Sequence, residues 1–330
     1  MTTYILRRLL LMIPTLLGIS LITFMVMKMM PGDPAVIKAR MAAGGNMQEV
    51  PPETLERIRK TYGLDKSLGE QYVLWLGRMV TLDFGESLVD REPVTKRILE
   101  RLPTSLQLSV GSLLLAYMIS VPIGVMSAVK KDSFLDQATT FGLFVLYSLP
   151  GFWLATLALV FLCGGDYFKL FPSSGLSSMG AENLPFGSWV MDRIWHLALP
   201  LAVLTYPSLA ALSRYSRSGM LEVIQQDYIR TARAKGLREN AVIFVHGLRN
   251  SLIPIITLLA FELPSLLGGS MIIETIFSIS GMGELTLTSI TSRDYTMIMG
   301  IFTISAFLTL AGFLLGDILY CVADPRIRLQ

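Results

Sequence analysis

Two carboxylates in apolar surroundings, Glu262 and Glu274, are the residues of this chain whose chemistry first needs a reason. An acid inside hydrocarbon is costly, so it faces a partner or a watery cavity. Each is therefore a candidate for lining a translocation pathway, with a structural pairing or a buried protonated acid as the competing role. Glu262 falls near the middle of an apolar run and Glu274 near its end, where it can reach water. Asp317, close to the end of the last apolar run, reads as structural. Enzymatic chemistry has no matching constellation. The two histidines, His196 and His246, do not form an H-E-x-x-H pair, and no G-x-S-x-G elbow is present. No G-x-x-x-x-G-K-[ST] loop occurs, so the chain is not expected to hydrolyse ATP itself. Cys163 and Cys321 show neither a disulfide framework nor a metal-ligand spacing. Hence no catalytic residue, metal site or cofactor is expected.

The elements that must hold the two acids are membrane spans. Hydrophobic residues make up 52% of the 330 and charged residues 16%, below the roughly 25% usual in soluble domains. About 20 apolar residues cross the hydrocarbon core. Six runs meet that length: 9–29, 106–129, 139–163, 197–215, 253–276 and 297–322, the fourth interrupted by Pro200 and Pro207. The expected fold is an all-α integral membrane protein with six transmembrane helices. Arg7 and Arg8, Lys130 and Lys131, the basic residues of 230–249, and Arg326 with Arg328 all fall on one side of such a chain. That side is the cytoplasm by the positive-inside rule, which places both termini there.

Three parts follow: a first span over 1–30, a small external subdomain over 31–103, and a five-helix core over 104–330 that carries a cytoplasmic loop at 216–252. In the subdomain, 53–62 and 68–79 read as short amphipathic helices, with Gly63, Gly69 and Gly85 as breaks. Pro103 suits the start of the second span, and Pro122 with Gly124 can kink it. Gly268, Gly269 and Ser270 permit close helix approach.

The loop holds the most informative polar stretch, DYIRTARAKGLRENAVIFVHGLRNSLIP. Residues 227–235 read as a short helix with its acid first and its bases last, as the helix dipole favours. Asp227 and Arg230 can pair at i, i+3, and Gly236 ends the helix in the left-handed conformation. A second helix is expected with Asn240 as N-cap and with Phe244 and Leu248 on one face. Ala232 is a small residue where a partner surface could approach.

This wording resembles the EAA loop of ATP-binding-cassette importer permeases, whose pattern is E-A-A, three residues, G, nine residues, then I-x-L-P. Aligned on Gly236, the chain keeps Ala232, Gly236 and Leu248. Arg230 and Thr231 replace the first two positions, and His246 and Arg249 replace the isoleucine and proline, which is similar to the oligopeptide, dipeptide and nickel permease variant. MPGDPA, YSLPGFW, SGMGEL (with Ser280 in place of a proline) and DPRIR resemble that family in the same order.

The resemblance implies a permease subunit with a large external insertion after the first span, in a bacterial-type inner membrane. Its implied coupling surface to an ATPase comprises Asp227, Tyr228, Arg230, Thr231, Ala232, Arg233, Lys235, Gly236 and Leu237. The implied partners are a second homologous permease, two ATPase subunits, an external solute-binding protein and the lipid bilayer, with no nucleic acid. Peptides are the first substrate class to consider. A proton-coupled secondary transporter working through Glu262 is the alternative, although no internal repeat of the kind such transporters show is visible. A membrane-embedded hydrolase lacks its nucleophile.

Overall fold

The computed structural model describes residues 2–29, 32–42, 51–61, 63–164, 167–262, 266 and 268–323. Met30 and Pro31 of MPGDPA, the terminal DPRIR and the side chain of Cys321 lie outside the described residues. Among those described, regular structure is all helical apart from one isolated bridge between Glu86 and Pro93.

Helix α1 (Thr2–Met29) is the first of four helices long and apolar enough to cross a bilayer. The polar stretch after it forms α2 (Pro34–Ala42), α3 (Pro52–Thr61) and α4 (Leu68–Val80). Its amphipathic helices thus form where the polar and apolar spacing places them. A capping box opens α4: Ser67 N–H donates to the Glu70 carboxylate at 3.0 Å while Ser67 Oγ accepts from Glu70 N. The helix then lies on the end of α1, with the rings of Tyr72 and Trp75 5.4 and 6.4 Å from that of Phe24.

Helix α5 (Val94–Val129) starts before the apolar run does, and Pro103 lies inside it rather than at its start. Its first turns are held by packing: Val94 and Ile98 are buried with Phe84, Met297 and Ile301. The third apolar run is two pieces, α6 (Phe134–Ser148) and α7 (Gly151–Ala158), the latter continued by a wide π turn to Cys163. They meet at a 92° bend at Pro150. There the Leu149 carbonyl accepts from Tyr206 Oη at 2.6 Å, so a backbone group released by the break is satisfied by a neighbouring helix. Helix α8 (Phe186–Ile224) runs through Pro200 and Pro207 without interruption.

Next come α9 (Asp227–Ala234), α10 (Glu239–Ala241), a π turn over Val242–Gly247 and α11 (Leu248–Ser251). The fifth apolar run is not one helix. Helix α12 spans Ile253–Glu262, and α13 (Met271–Ile276) begins after residues 268–270, of which Gly269 has φ +66°. The expected helix crossing at 268–270 is therefore a tight loop. Helices α14 (Met282–Thr291) and α15 (Tyr295–Ala323) complete the chain.

Helices α5 and α8 run side by side and form the spine. Gly124 marks a place of close approach between them. A Cβ there would fall 2.5 Å from the Ser213 carbonyl oxygen. Around it Ser213 Oγ donates to the Ser120 carbonyl at 3.3 Å and Ser216 Oγ to the Val121 carbonyl at 3.1 Å. At the end of this spine Asp136 accepts a two-pronged contact from Arg217, 2.9 Å from Nε and 2.7 Å from Nη2, and a hydrogen bond from Ser127. Helix α1 packs antiparallel to α15. Arg8 reaches Asp317 at 2.9 Å at one end, and Met27 meets Tyr295 and Ile298 at the other. Asp317 also accepts from Tyr4 Oη at 2.8 Å, in keeping with its structural reading.

Candidate functional site

Helix α9 and the turn after it form an elbow whose shape follows from one residue. Gly236 has φ +78°, Gly236 N–H donates to the Arg233 carbonyl at 2.9 Å, and Leu237 N–H reaches back to the Ala232 carbonyl at 3.4 Å. These are the two bonds of a Schellman motif, which satisfies the last carbonyls of a helix and reverses the chain. Across the turn Arg233 grips Glu239, with Nη2 2.6 Å and Nε 3.2 Å from its oxygens. The guanidinium holds the Glu239 carboxyl below its usual range, and the carboxylate holds the guanidinium up. A depressed carboxyl keeps this clasp intact at neutral pH and gives it up only as the pH falls through its own lowered pKa.

The inner face of the elbow is apolar. Ile229 and Ala232 are buried against Val223 at the end of α8 and against Val242. Ala232, read as a point of partner approach, is 7% exposed and lets α9 sit close to that core. Beyond it Ile243 packs with Met220, Val125 and Ala128. The elbow thus rests directly on the ends of α8 and α5. Gly247 allows this, since a Cβ there would meet the Met220 methyl at 2.8 Å.

The outer face presents Asp227, Arg230, Thr231, Lys235 and Leu237, with Tyr228 steadied by Asn250 Nδ2 at 2.8 Å. Asp227 and Arg230 stand 3.6 Å apart with side chains 95% and 73% exposed, so their pairing adds little stability and leaves both accessible. Asn240 is not a cap. The N-cap is Arg238, and Asn240 lies within α10. The π turn also breaks the expected i, i+4 face: Phe244 is exposed, whereas Leu248 packs inward beside Met220.

The two acids are differently placed. Glu262, at the end of α12, lines a cavity of about 160 Å³ with Ser109, Ser112, Ser208 and Ser270. Glu274 is fully buried. It accepts from Ser105 Oγ at 2.8 Å, Ser270 N–H at 3.1 Å and Glu284 N–H at 2.9 Å. Ser105 Oγ in turn accepts from Met282 N–H at 2.7 Å. One carboxylate thereby joins α5, the 269–270 loop, α13 and α14. Gly281 makes room for it, because a Cβ there would lie 2.5 Å from a carboxylate oxygen.

Replacing Glu274 by glutamine is expected to point an amide donor at one of these N–H or O–H groups, at a cost of roughly 1–3 kcal/mol. Thermal unfolding in detergent measures it; an unchanged midpoint would remove the clamp from the account. His196 is buried, with Nδ1 2.8 Å from the Asp192 carbonyl. His246 is exposed on the π turn.

Residues 120–329 match the family described as binding-protein-dependent transport system inner membrane component, and residues 1–109 match the N-terminal region of the same membrane component. The chain belongs to this family. It is a permease of the ATP-binding-cassette importers, and the proton-driven alternative finds no support. Among similar proteins is the oligopeptide transport system permease protein AppB of Bacillus subtilis. It is 43% identical over 329 residues, covering 99% of this permease and all of that one. The dipeptide transport system permease protein DppB of Escherichia coli K12 is 36% identical over 345 aligned positions, covering 99% of each. A permease of this kind works with a solute-binding protein and ATP-binding-cassette subunits and does not itself act as the enzyme.

Sequence reasoning passed over Glu239, Met220 and Gly247, which hold the elbow in place. Their partners stand in other helices or across a turn, so no local pattern marks them.

Proposed function

We propose that this permease is one of two similar subunits that together enclose a pathway for peptides or related small solutes, and that the outer face of α9 docks on one of two ATPase subunits. The observation that carries the reading is the elbow: a clasped turn with an accessible charged face and an apolar back seated on α5 and α8. Closure of the ATPase pair on ATP would push α9, and Val242 and Ile243 would pass that displacement to Met220 and Val125. The spans would then rock between inward- and outward-facing states, driven by the differential affinity of the ATPases for the two.

In this reading the chain crosses a bacterial inner membrane six times with both termini cytoplasmic. Two placements support it. The elbow and the external helices lie at opposite ends of α5. The broken fifth segment runs from Ser251, beside Gly219 near the end of α8, to Glu274, beside Ser105 near the start of α5. Residues 31–103 would be the external subdomain and 216–252 the coupling loop. Glu262, beside four serines, is the pathway carboxylate. Glu274 stands behind the 269–270 loop as the clamp of the outer end.

The test is peptide uptake into proteoliposomes that hold both permeases and the ATPases, with the binding protein supplied. Uptake is expected to need ATP and to survive collapse of the proton gradient. Glu262→Gln is expected to lower the rate severalfold at unchanged abundance, since only the charge facing the cavity is lost. Uptake without ATPase subunits would overturn the proposal, and an unaltered rate in the variant would return Glu262 to a structural role.

A further inference from the structure

A second and larger cavity, of about 360 Å³, lies away from the elbow and the serine-lined cavity. That volume falls within the range of small-molecule sites, about 300–1,000 Å³. Its floor comes from the ends of two membrane-spanning helices and from the external helix laid over them: Phe24 and Met27 of α1, Met299 of α15, and Leu74 and Trp75 of α4. Its rim is basic, with Lys60 of α3, Lys66, and Arg78 of α4, all exposed. None of these three forms an ion pair among the described residues. Lys28 also lines the cavity, donating to Gln71 and standing 5.5 Å from the Phe24 ring. Counting Lys38, five bases face two acids, Asp83 and Glu86, so the mouth carries net positive charge.

An apolar floor built from bilayer-crossing residues beneath a ring of cations is the pattern of a phospholipid at the membrane boundary, acyl chain inward and phosphate outward. Trp75 in its floor, half-buried, is the kind of amphipathic ring that favours this depth. A soluble acidic segment would find the cations but would have no use for an apolar floor set at the ends of two spans. We infer that this cavity holds one anionic phospholipid of the outer leaflet, its phosphate on Lys60, Lys66 and Arg78 and its first acyl carbons against Phe24, Trp75 and Met299. Bound there, the lipid would bridge α1 and α15 to the external helices, adding to the ring contacts of Tyr72 and Trp75 with Phe24 and to the hydrogen bonds that Gln71 and Tyr72 make with α1.

The test uses the complete transporter in nanodiscs of phosphatidylcholine with a minor share of phosphatidylglycerol. Lipid carried with the permease is read by native mass spectrometry. The wild type is expected to retain phosphatidylglycerol well above its share. The Lys60→Gln, Arg78→Gln double variant is expected to lose about tenfold of that preference, as befits two basic groups near an anionic headgroup. Should the double variant not assemble, Lys60→Gln and Arg78→Gln singly give the same readout at a smaller size. No preference in the wild type, or full retention in the variants, would overturn the inference. So would displacement of the lipid by inorganic phosphate or by a polyglutamate peptide, which would make the occupant a soluble anion.

Discussion

Gly236→Val is expected to cut ATP-driven uptake by about tenfold or more, while the variant reaches the membrane at the wild-type level. The reason is conformational. A Cβ at position 236 would meet nothing within 4 Å, so no clash is created. What valine cannot do cheaply is hold φ at +78°, a region that costs an ordinary residue roughly 1–2 kcal/mol and is worse for a branched one. Relief of that strain breaks the bonds from Gly236 and Leu237 to the Arg233 and Ala232 carbonyls and draws Arg233 away from Glu239. About 1.4 kcal/mol spent on misaligning the docking face is already a tenfold loss. Gly236→Asn is the control, because asparagine tolerates the left-handed region and is expected to restore most of the activity. Uptake per molecule, normalised to permease in the membrane, decides the matter. A valine variant as active as wild type would remove the elbow from coupling, and equal loss in asparagine and valine would show that the missing Cβ, not the backbone angle, matters.

The turn of the elbow was legible because its signals are local, whereas Glu239, Met220 and Gly247, which seat it on its neighbours, were not. An acid-first, base-last helix and a glycine eight to ten residues later can be read from the string, and the structure ends α9 at Ala234. The helices expected at 53–62 and 68–79 were legible in their polar and apolar spacing, whereas the capping box of Ser67 and Glu70 that opens α4 went unread. The spans were legible in number of apolar runs but not in continuity. Pro200 and Pro207 interrupt the expected fourth span over 197–215, yet α8 runs for 39 residues, since its neighbours and not its own propensity hold it. The fifth run was apolar enough to read as one helix. It is not helical at 268–270, where Glu274 fastens the loop at Gly269 and Ser270 and has its hydroxyl partner, Ser105, 169 residues away. A contact of that separation leaves no local pattern. Asp136 and Arg217, 81 residues apart, are hidden for the same reason.

Gly124→Ala is expected to act on the number of folded molecules rather than on the work each performs. The added methyl would sit 2.5 Å from the Ser213 carbonyl oxygen and 2.5 Å from Ser216 Cβ. One of these is backbone and cannot rotate away, so α8 must shift. Overpacking of this kind costs about 1–3 kcal/mol. The shift also stretches the bonds from Ser213 to the Ser120 carbonyl and from Ser216 to the Val121 carbonyl, each worth roughly 0.6 kcal/mol between membrane helices. Together the loss comes to roughly 2–4 kcal/mol, enough to lower thermal stability in detergent and abundance in the membrane. Gly142→Ala is the matched control: it lies within α6 with nothing inside 4 Å of its Cβ, so alanine there is expected to be neutral or mildly stabilising. The two glycine variants separate the two tasks of this chain. Gly124 lies close to Val125 and Met220, the residues that receive the elbow's push, so a wild-type stability for Gly124→Ala would mean that α5 and α8 are not locked together there. The push would then have no rigid spine to travel along, and the mechanical reading of the elbow would fail even if docking itself were intact.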